Sequence, residues 1–265
     1  MGKHAAIFIL LGVFYPTIFY LAATLNSSTD ESFLLSFKSQ ITFDPNNIIS
    51  TNWSRGTSFC TWIGVTCSRR HLRVTGLDLF DMGLQGTIAR EIGNLSFLRY
   101  LDLSNNSFIG LIPDEIGNLI RLCTLNMSYN ELRGHIPNSV GLLRNLQTLD
   151  LPGNHITETI PMNIFNLSSL QRIHLRGNQL SGTLPLDICQ HLPELEYLRL
   201  SVNELSGNIP TSITKCAKLK VLILSYNNFT GSIPMAIGNL TQLEILLLGI
   251  NILTGIFMIQ FFKDN

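Results

Sequence analysis

"LSNNSFIGLIPDEIGNL" (103–119) returns as "MSYNELRGHIPNSVGLL" (127–143) and as "LSYNNFTGSIPMAIGNL" (224–240). Aligning the chain on itself gives a period of 24, with units beginning near Leu72, Ser96, Ile120, Arg144, Ser168, Pro193, Ala217 and Thr241. The fifth unit carries one extra residue near Gln190 and His191. An Asn holds one fixed place, at Asn106, Asn130, Asn154, Asn178, Asn203, Asn227 and Asn251, and Met82 stands there in the first unit. A fixed period of this length marks a solenoid, in which each unit is one supersecondary element.

The second unit shows the physics. Leu101 and Leu103 alternate with Tyr100, Asp102 and Ser104. That is the period-2 pattern of a strand with one buried face. Asn106 follows where the chain turns inward. An inward-facing amide can bond the backbone of neighbouring coils with both of its ends, satisfying groups that the turn leaves unpaired. Gly then recurs at 86, 110, 134, 182, 207, 231 and 255, with Glu158 as the exception. Pro recurs at 113, 137, 161, 185, 210 and 234. Lacking an N–H, Pro marks the end of a short second strand. "EIGNL" (115–119 in this unit) buries Ile116 and Leu119 on the convex side. No unit buries its apolar face alone, so stacking creates the core and the ends need caps.

The flanks divide the chain further. Residues 1–23 read as a secretory signal peptide: Lys3 and His4 precede an uncharged run, and Ala22, Ala23 and Thr24 offer a cut near Ala23. Residues 24–71 read as an N-terminal cap. Ser28 and Glu31 have capping-box spacing, and Phe33, Leu34, Phe37 and Ile41 share one helix face. Trp53 and Trp62 cover the first coil. Residues 72–255 are the repeats, and 256–265 form a degenerate tail. Secretion makes Cys60 and Cys67 in "CTWIGVTC" a local disulfide. Cys123, Cys189 and Cys216 remain; Cys216 replaces a repeat Leu and is expected as a buried thiol. Secretion also gives meaning to Asn-X-Ser/Thr sites at Asn26, Asn52, Asn94, Asn105, Asn126, Asn166, Asn228 and Asn239.

The consensus LxxLxLxxNxLxGxIPxxIGNL, read across these units, resembles the plant-type leucine-rich repeat. The segment Asp30 to Cys67 is similar to the N-terminal cap of plant leucine-rich-repeat receptor-like kinases, most of all the immune-receptor subfamily. The resemblance implies an α/β fold: a right-handed solenoid with a parallel concave β-sheet and an N-terminal helical cap. It implies a peptide or protein ligand, a receptor-kinase co-receptor, and a place outside the cell or at the plasma membrane. The sequence departs from the family after Gly255, where "IFMIQFFKDN" replaces the expected IP and IGNL, and no kinase motif is present. Two other readings are a secreted inhibitor of cell-wall-degrading enzymes and a fragment without independent function. The uncharged run 245–262 is at the lower limit for a membrane span, but Asn251, Thr254 and Gln260 lie inside it.

Composition narrows partners and chemistry. The formal charge is zero and only 14% of residues are charged, which offers nothing to nucleic acid. No metal-ligand spacing, cofactor motif or nucleophile constellation occurs, so the expectation is a non-enzyme without cofactor. Binding is expected on the concave face, through Tyr129, Asp150, Arg172, His174, Arg176, Tyr197, Arg199 and Tyr226. Arg172, His174, Arg176 and Arg199 fall on adjacent coils and form a patch for a carboxylate. "HLR" (174–176) echoes, through the resemblance, an RxR motif of peptide-hormone receptors. Glycans on Asn105 and Asn126 would obstruct units two and three and push a ligand toward units four to seven.

Overall fold

The computed structural model describes residues 27–255. The signal-peptide reading, the sequon at Asn26 and the tail 256–265 lie outside them.

Each repeat makes one coil. Short inner strands such as Tyr100–Asp102, Thr124–Asn126, Thr148–Asp150, Arg172–His174 and Tyr197–Arg199 pair in parallel and in register. With Val74–Asp78, Val221–Ile223, Ile245–Leu247 and the antiparallel Val65–Cys67, they build a nine-stranded sheet. This is a leucine-rich-repeat solenoid with a helical N-terminal cap. The alternating Leu residues point inward: Leu101, Leu125, Leu149, Ile173 and Leu198 are all inaccessible to solvent. Ile116 and Leu119 bury on the convex side.

The repeated Asn stitches the coils together. Asn154 Nδ2 donates to Met127 O of the preceding coil at 3.0 Å, and its Oδ1 accepts from Leu132 N at 3.1 Å. The same pair of bonds recurs at Asn106, Asn130, Asn178, Asn203, Asn227 and Asn251. Each amide satisfies buried backbone groups that would otherwise cost about 1–3 kcal/mol apiece.

The prolines do more than end strands. Pro113, Pro137, Pro161, Pro210 and Pro234 are the N-caps of 3-10 turns: Asp114–Asn118, Asn138–Leu142, Met162–Asn166, Thr211–Lys215 and Met235–Asn239. Their carbonyls accept the first turn bond, as Ile116 N donates to Pro113 O. The second strands form two sheets rather than one, breaking between His155–Ile156 and Ser181–Thr183. Glu158 stands at the break with φ 65° where the other coils use Gly.

At the N-terminus the helix Ser27–Ser39 begins before Ser28, so that residue lies inside the helix rather than capping it. What anchors the helix is Asp30, which is fully buried. It accepts from Arg73 Nη2 at 2.7 Å, Arg73 Nε at 2.9 Å and Val74 N at 2.8 Å. Leu34 and Phe37 pack on the first coils, and Trp53 stacks on Trp62 at 5.5 Å.

One cysteine expectation is overturned. Cys216 is not a free thiol; it is bonded to Cys189. Cys216 occupies the ladder of Leu143, Leu167, Leu192 and Leu240, and both cysteines are buried. The fifth coil, with its extra residue, forms turns where coils one to four, six and seven form a 3-10 helix, and brings Cys189 against that ladder. Cys60 and Cys67 form the second disulfide, and Cys123 is free and half-buried.

Candidate functional site: the concave face of coils three to eight

The inner strands place their outward-facing side chains side by side in successive coils. Thr148, Arg172, Tyr197 and Val221 are register partners, as are Asp150, His174, Arg199 and Ile223. A polar cluster results at the centre of the sheet. The Arg172 guanidinium lies 4.6 Å from the Tyr197 ring centroid and that of Arg199 5.8 Å, a cation–π arrangement that holds both planes. His174 Nδ1 is 3.9 Å from Asp150 Oδ1, too far for a hydrogen bond.

Burial dominates the electrostatics. It pushes the Asp150 carboxyl up to about 6, against the pull of Arg172 and Arg199 and with help from Asp102. It also pushes His174 down to about 4, helped by repulsion from Arg199, Arg172 and Arg176. Asp150 Oδ1 and Arg199 Nε are buried without a hydrogen-bond partner among the described residues. An acceptor and a donor thus stand unspent at adjacent coils, beside a neutral imidazole.

Toward the following turns the cluster opens into a groove of about 390 Å³. His174, Arg176 and Arg199 form its polar side, Ile223 and Leu247 its apolar side, and Tyr129 and Tyr226 also line it. Both tyrosines sit in the left-handed region, with φ of 52° and 58°, at the residue before the ladder Asn. Gly153, Gly177 and Val202 hold that place in the three coils between. A Cβ on Gly153 would meet the Tyr129 ring at 2.6 Å, so Gly there is what lets the ring lie over the next coil.

The structure brings Tyr129, His174, Arg176, Arg199 and Tyr226 to one groove, with Asp150, Arg172 and Tyr197 in the adjoining cluster. Other concave positions are less open than alternation predicts. Asp102, Ser104, Ser128, Ser201 and Val221 are buried. Asp102 accepts from Tyr100 Oη at 3.0 Å, Ser104 N at 2.9 Å and Asn126 Nδ2 at 2.9 Å. The sequon nitrogen of Asn126 is therefore engaged, and also donates to Ser104 Oγ at 3.1 Å. Asn105 is exposed and donates to Asp81. Asn94, Asn166, Asn228 and Asn239 are exposed, and Asn52 is half-buried with its Oδ1 accepting from Ile63 N. Val202 also lines the groove, at the repeat position of Tyr129 and Tyr226, and was not among the residues expected from the sequence.

Three family models match: "Leucine rich repeat N-terminal domain" at residues 27–68, "Leucine-rich repeat region" at 65–182 and "Leucine Rich Repeat" at 194–216 and 218–240. The chain is 38% identical over 104 residues to the LRR receptor-like serine/threonine-protein kinase EFR of Arabidopsis thaliana, covering 39% of this chain and 10% of that protein. It therefore spans about a tenth of the length of that relative. Among solved structures it resembles PEPR1 bound to AtPEP1, with a TM-score of 0.80 and 34% identity over 85% of this chain and 32% of that one. The Arabidopsis receptor kinase HAESA, solved with the peptide hormone IDA and the co-receptor SERK1, gives 0.70 and 30% over 85% and 42%. The ectodomain of the Arabidopsis thaliana receptor kinase SOBIR1 gives 0.60 and 30%, over 69% of this chain and 97% of that chain. The chain belongs to the leucine-rich-repeat family that forms the ectodomains of plant receptor kinases.

Proposed function

We propose that this chain recognises a peptide or protein ligand outside the cell through the groove of coils three to eight. The observation that carries the reading is the unspent polar pair where the groove meets the adjoining cluster. Arg199 Nε and Asp150 Oδ1 are buried and unpartnered beside Arg172, Arg176 and His174. Guanidinium groups pair best with carboxylates, so a free carboxylate of the ligand belongs on Arg176 and Arg199. Tyr129 and Tyr226 supply rigid aromatic surface for its side chains. PEPR1 solved with AtPEP1 and HAESA solved with the peptide hormone IDA support a peptide as the ligand, and the HAESA assembly supports a co-receptor as second partner. The chain acts by binding rather than by catalysis, and it works in the extracellular space or at the plasma membrane. No helix among the described residues is long and apolar enough to cross a membrane.

The test is a peptide library screened against the secreted protein, each peptide with a free or an amidated C-terminus. Peptides with a free carboxylate should bind more tightly, and Arg176→Ala or Arg199→Ala should abolish the difference at a cost of about 1.5–3 kcal/mol per lost charged hydrogen bond. Equal binding by both forms, or unchanged affinity in both variants, would remove the carboxylate assignment.

A further inference from the structure

A second groove lies off the concave sheet, on the flank of coils one to five, with a volume of about 470 Å³. Two ladders line it: Phe97, Arg121, Asn145 and Ser169 on one, and Thr75, Arg99, Cys123 and Gln147 on the other. No carboxylate is among the residues that form it. Arg121 lies with its guanidinium 4.0 Å from the Phe97 ring centroid, and Arg73, already bound to Asp30, lies 4.6 Å from the same ring. Stacking orients the Arg121 fork without consuming its N–H groups. Neither Arg99 nor Arg121 has an ion-pair partner among the described residues, and His71 joins them at the groove rim.

The same repeat positions behave differently farther along. In coils six and seven they hold Glu194 and Lys218, bonded at 2.6 Å, and Glu196 and Lys220, bonded at 2.7 Å. There the flank neutralises itself. In coils one to three it leaves positive charge unspent.

We propose that this flank binds an acidic oligosaccharide, with oxyanions of the sugar on Arg121 and Arg99. The ligand chemistry follows from the lining. The Phe97 ring is occupied by guanidinium groups and by the His71 imidazole at 6.2 Å, so it offers no open apolar face to a peptide side chain. Both ends of the Gln147 amide and Asn145 Oδ1 are free to meet hydroxyls, while Asn145 Nδ2 is committed to Ile120 O at 2.8 Å. Adjacent coils are about 4.8 Å apart, so the ladders present a periodic surface to a periodic chain. The oxyanion can be a carboxylate or a sulfate.

Cys123, free and half-buried in the lining, reports occupancy by its rate of alkylation. The whole secreted chain is titrated by calorimetry with three probes: a galacturonate oligomer, a heparin-derived oligosaccharide and a poly-glutamate peptide of matched charge. One of the two sugars is expected to bind, with affinity that falls as salt rises and with slower alkylation of Cys123. Arg99→Ala with Arg121→Ala should weaken it at least about tenfold, as expected for lost charge-assisted bonds. Arg55→Ala with Arg90→Ala, an equal change of charge at exposed positions outside the groove, should leave it unchanged. Carboxylate or sulfate preference identifies the source. Failure of both sugars to bind, binding indifferent to the two arginines, or equal binding of poly-glutamate would each overturn the proposal. None of those outcomes touches the concave site, whose residues are different.

Discussion

Asp150 lies near two guanidinium groups and still titrates near 6, because burial outweighs their attraction. Its folded value is above the unfolded 3.8, so its stabilising contribution is complete below that value and is lost as pH rises through about 6. His174 has the opposite sign: depressed from 6.5 to about 4, it contributes above 6.5 and loses that contribution as pH falls through 4. Asp150→Asn should therefore raise the melting temperature at pH 7.5, with the gain shrinking to nothing below pH 4. The same protonation removes a negative charge beside Arg172 and Arg199, so a carboxylate ligand should bind more tightly as pH falls from 7 to 5. Affinity in the Asn variant should be flat over that range; a slope equal to that of the parent would place the titration elsewhere. Glu158 offers a second single-residue test. Its φ of 65° is met by Gly at the corresponding places, such as Gly134 at 75° and Gly182 at 81°. Glu158→Gly should stabilise the chain by roughly 1–2 kcal/mol, the cost of a side chain in the left-handed region. Denaturant melts that show no gain would mean that the break in the second sheet has another cause.

At the scale of elements, the disulfide Cys189–Cys216 is the contact that ties coil five to coil six through their convex edges. It spans 27 residues. In the chain-entropy account a loop of that length contributes roughly 3–4 kcal/mol. Cys189→Ala with Cys216→Ala should lower the urea midpoint accordingly. Thiol titration of the parent should find Cys123 alone, and three titrating thiols in the native state would disprove the pairing. The cap depends on a different kind of contact. Asp30 and Arg73 are both buried, and removal of one member of such a pair costs about 3–5 kcal/mol because the other charge is stranded. Capping-box spacing drew attention to Ser28 and Glu31, whereas the partner that mattered lies 43 residues away.

The described residues are capped at one end and expose an apolar coil at the other. The cap covers the first coil with Leu34, Phe37, Trp53 and Trp62. Among the described residues, the eighth coil leaves Ile245, Leu247, Ile250 and Ile252 between 41% and 64% exposed. Earlier coils put Glu131, Glu204 or Asn228 where Ile252 stands, and Arg199 where Leu247 stands. An apolar coil face of this kind favours association, since terminal repeats need a polar outer surface. Leu247→Arg with Ile252→Glu should lower the apparent mass of the secreted chain in light scattering toward that of a monomer. A parent that is already monomeric at the same concentration would show that this face is covered in solution.

The repeat by itself determined the solenoid, the inward Leu residues, the Asn ladder and the membership of the concave face. These follow from periodicity, and a period is a local property that any single copy of the unit displays. The placement of Arg172, His174 and Arg199 side by side was legible for the same reason: strand alternation and a fixed register put them on neighbouring coils. What periodicity could not show is whatever depends on two places meeting in space. The turn that carries Cys189 to Cys216, the hold of Asp30 on Arg73 and the burial of Asp102 beneath Asn126 are contacts between coils, decided by packing. So are the unspent charges of Asp150 and Arg199. Only the tertiary structure decides which polar groups find partners and which are left for a ligand, because desolvation and distance are properties of the assembled stack.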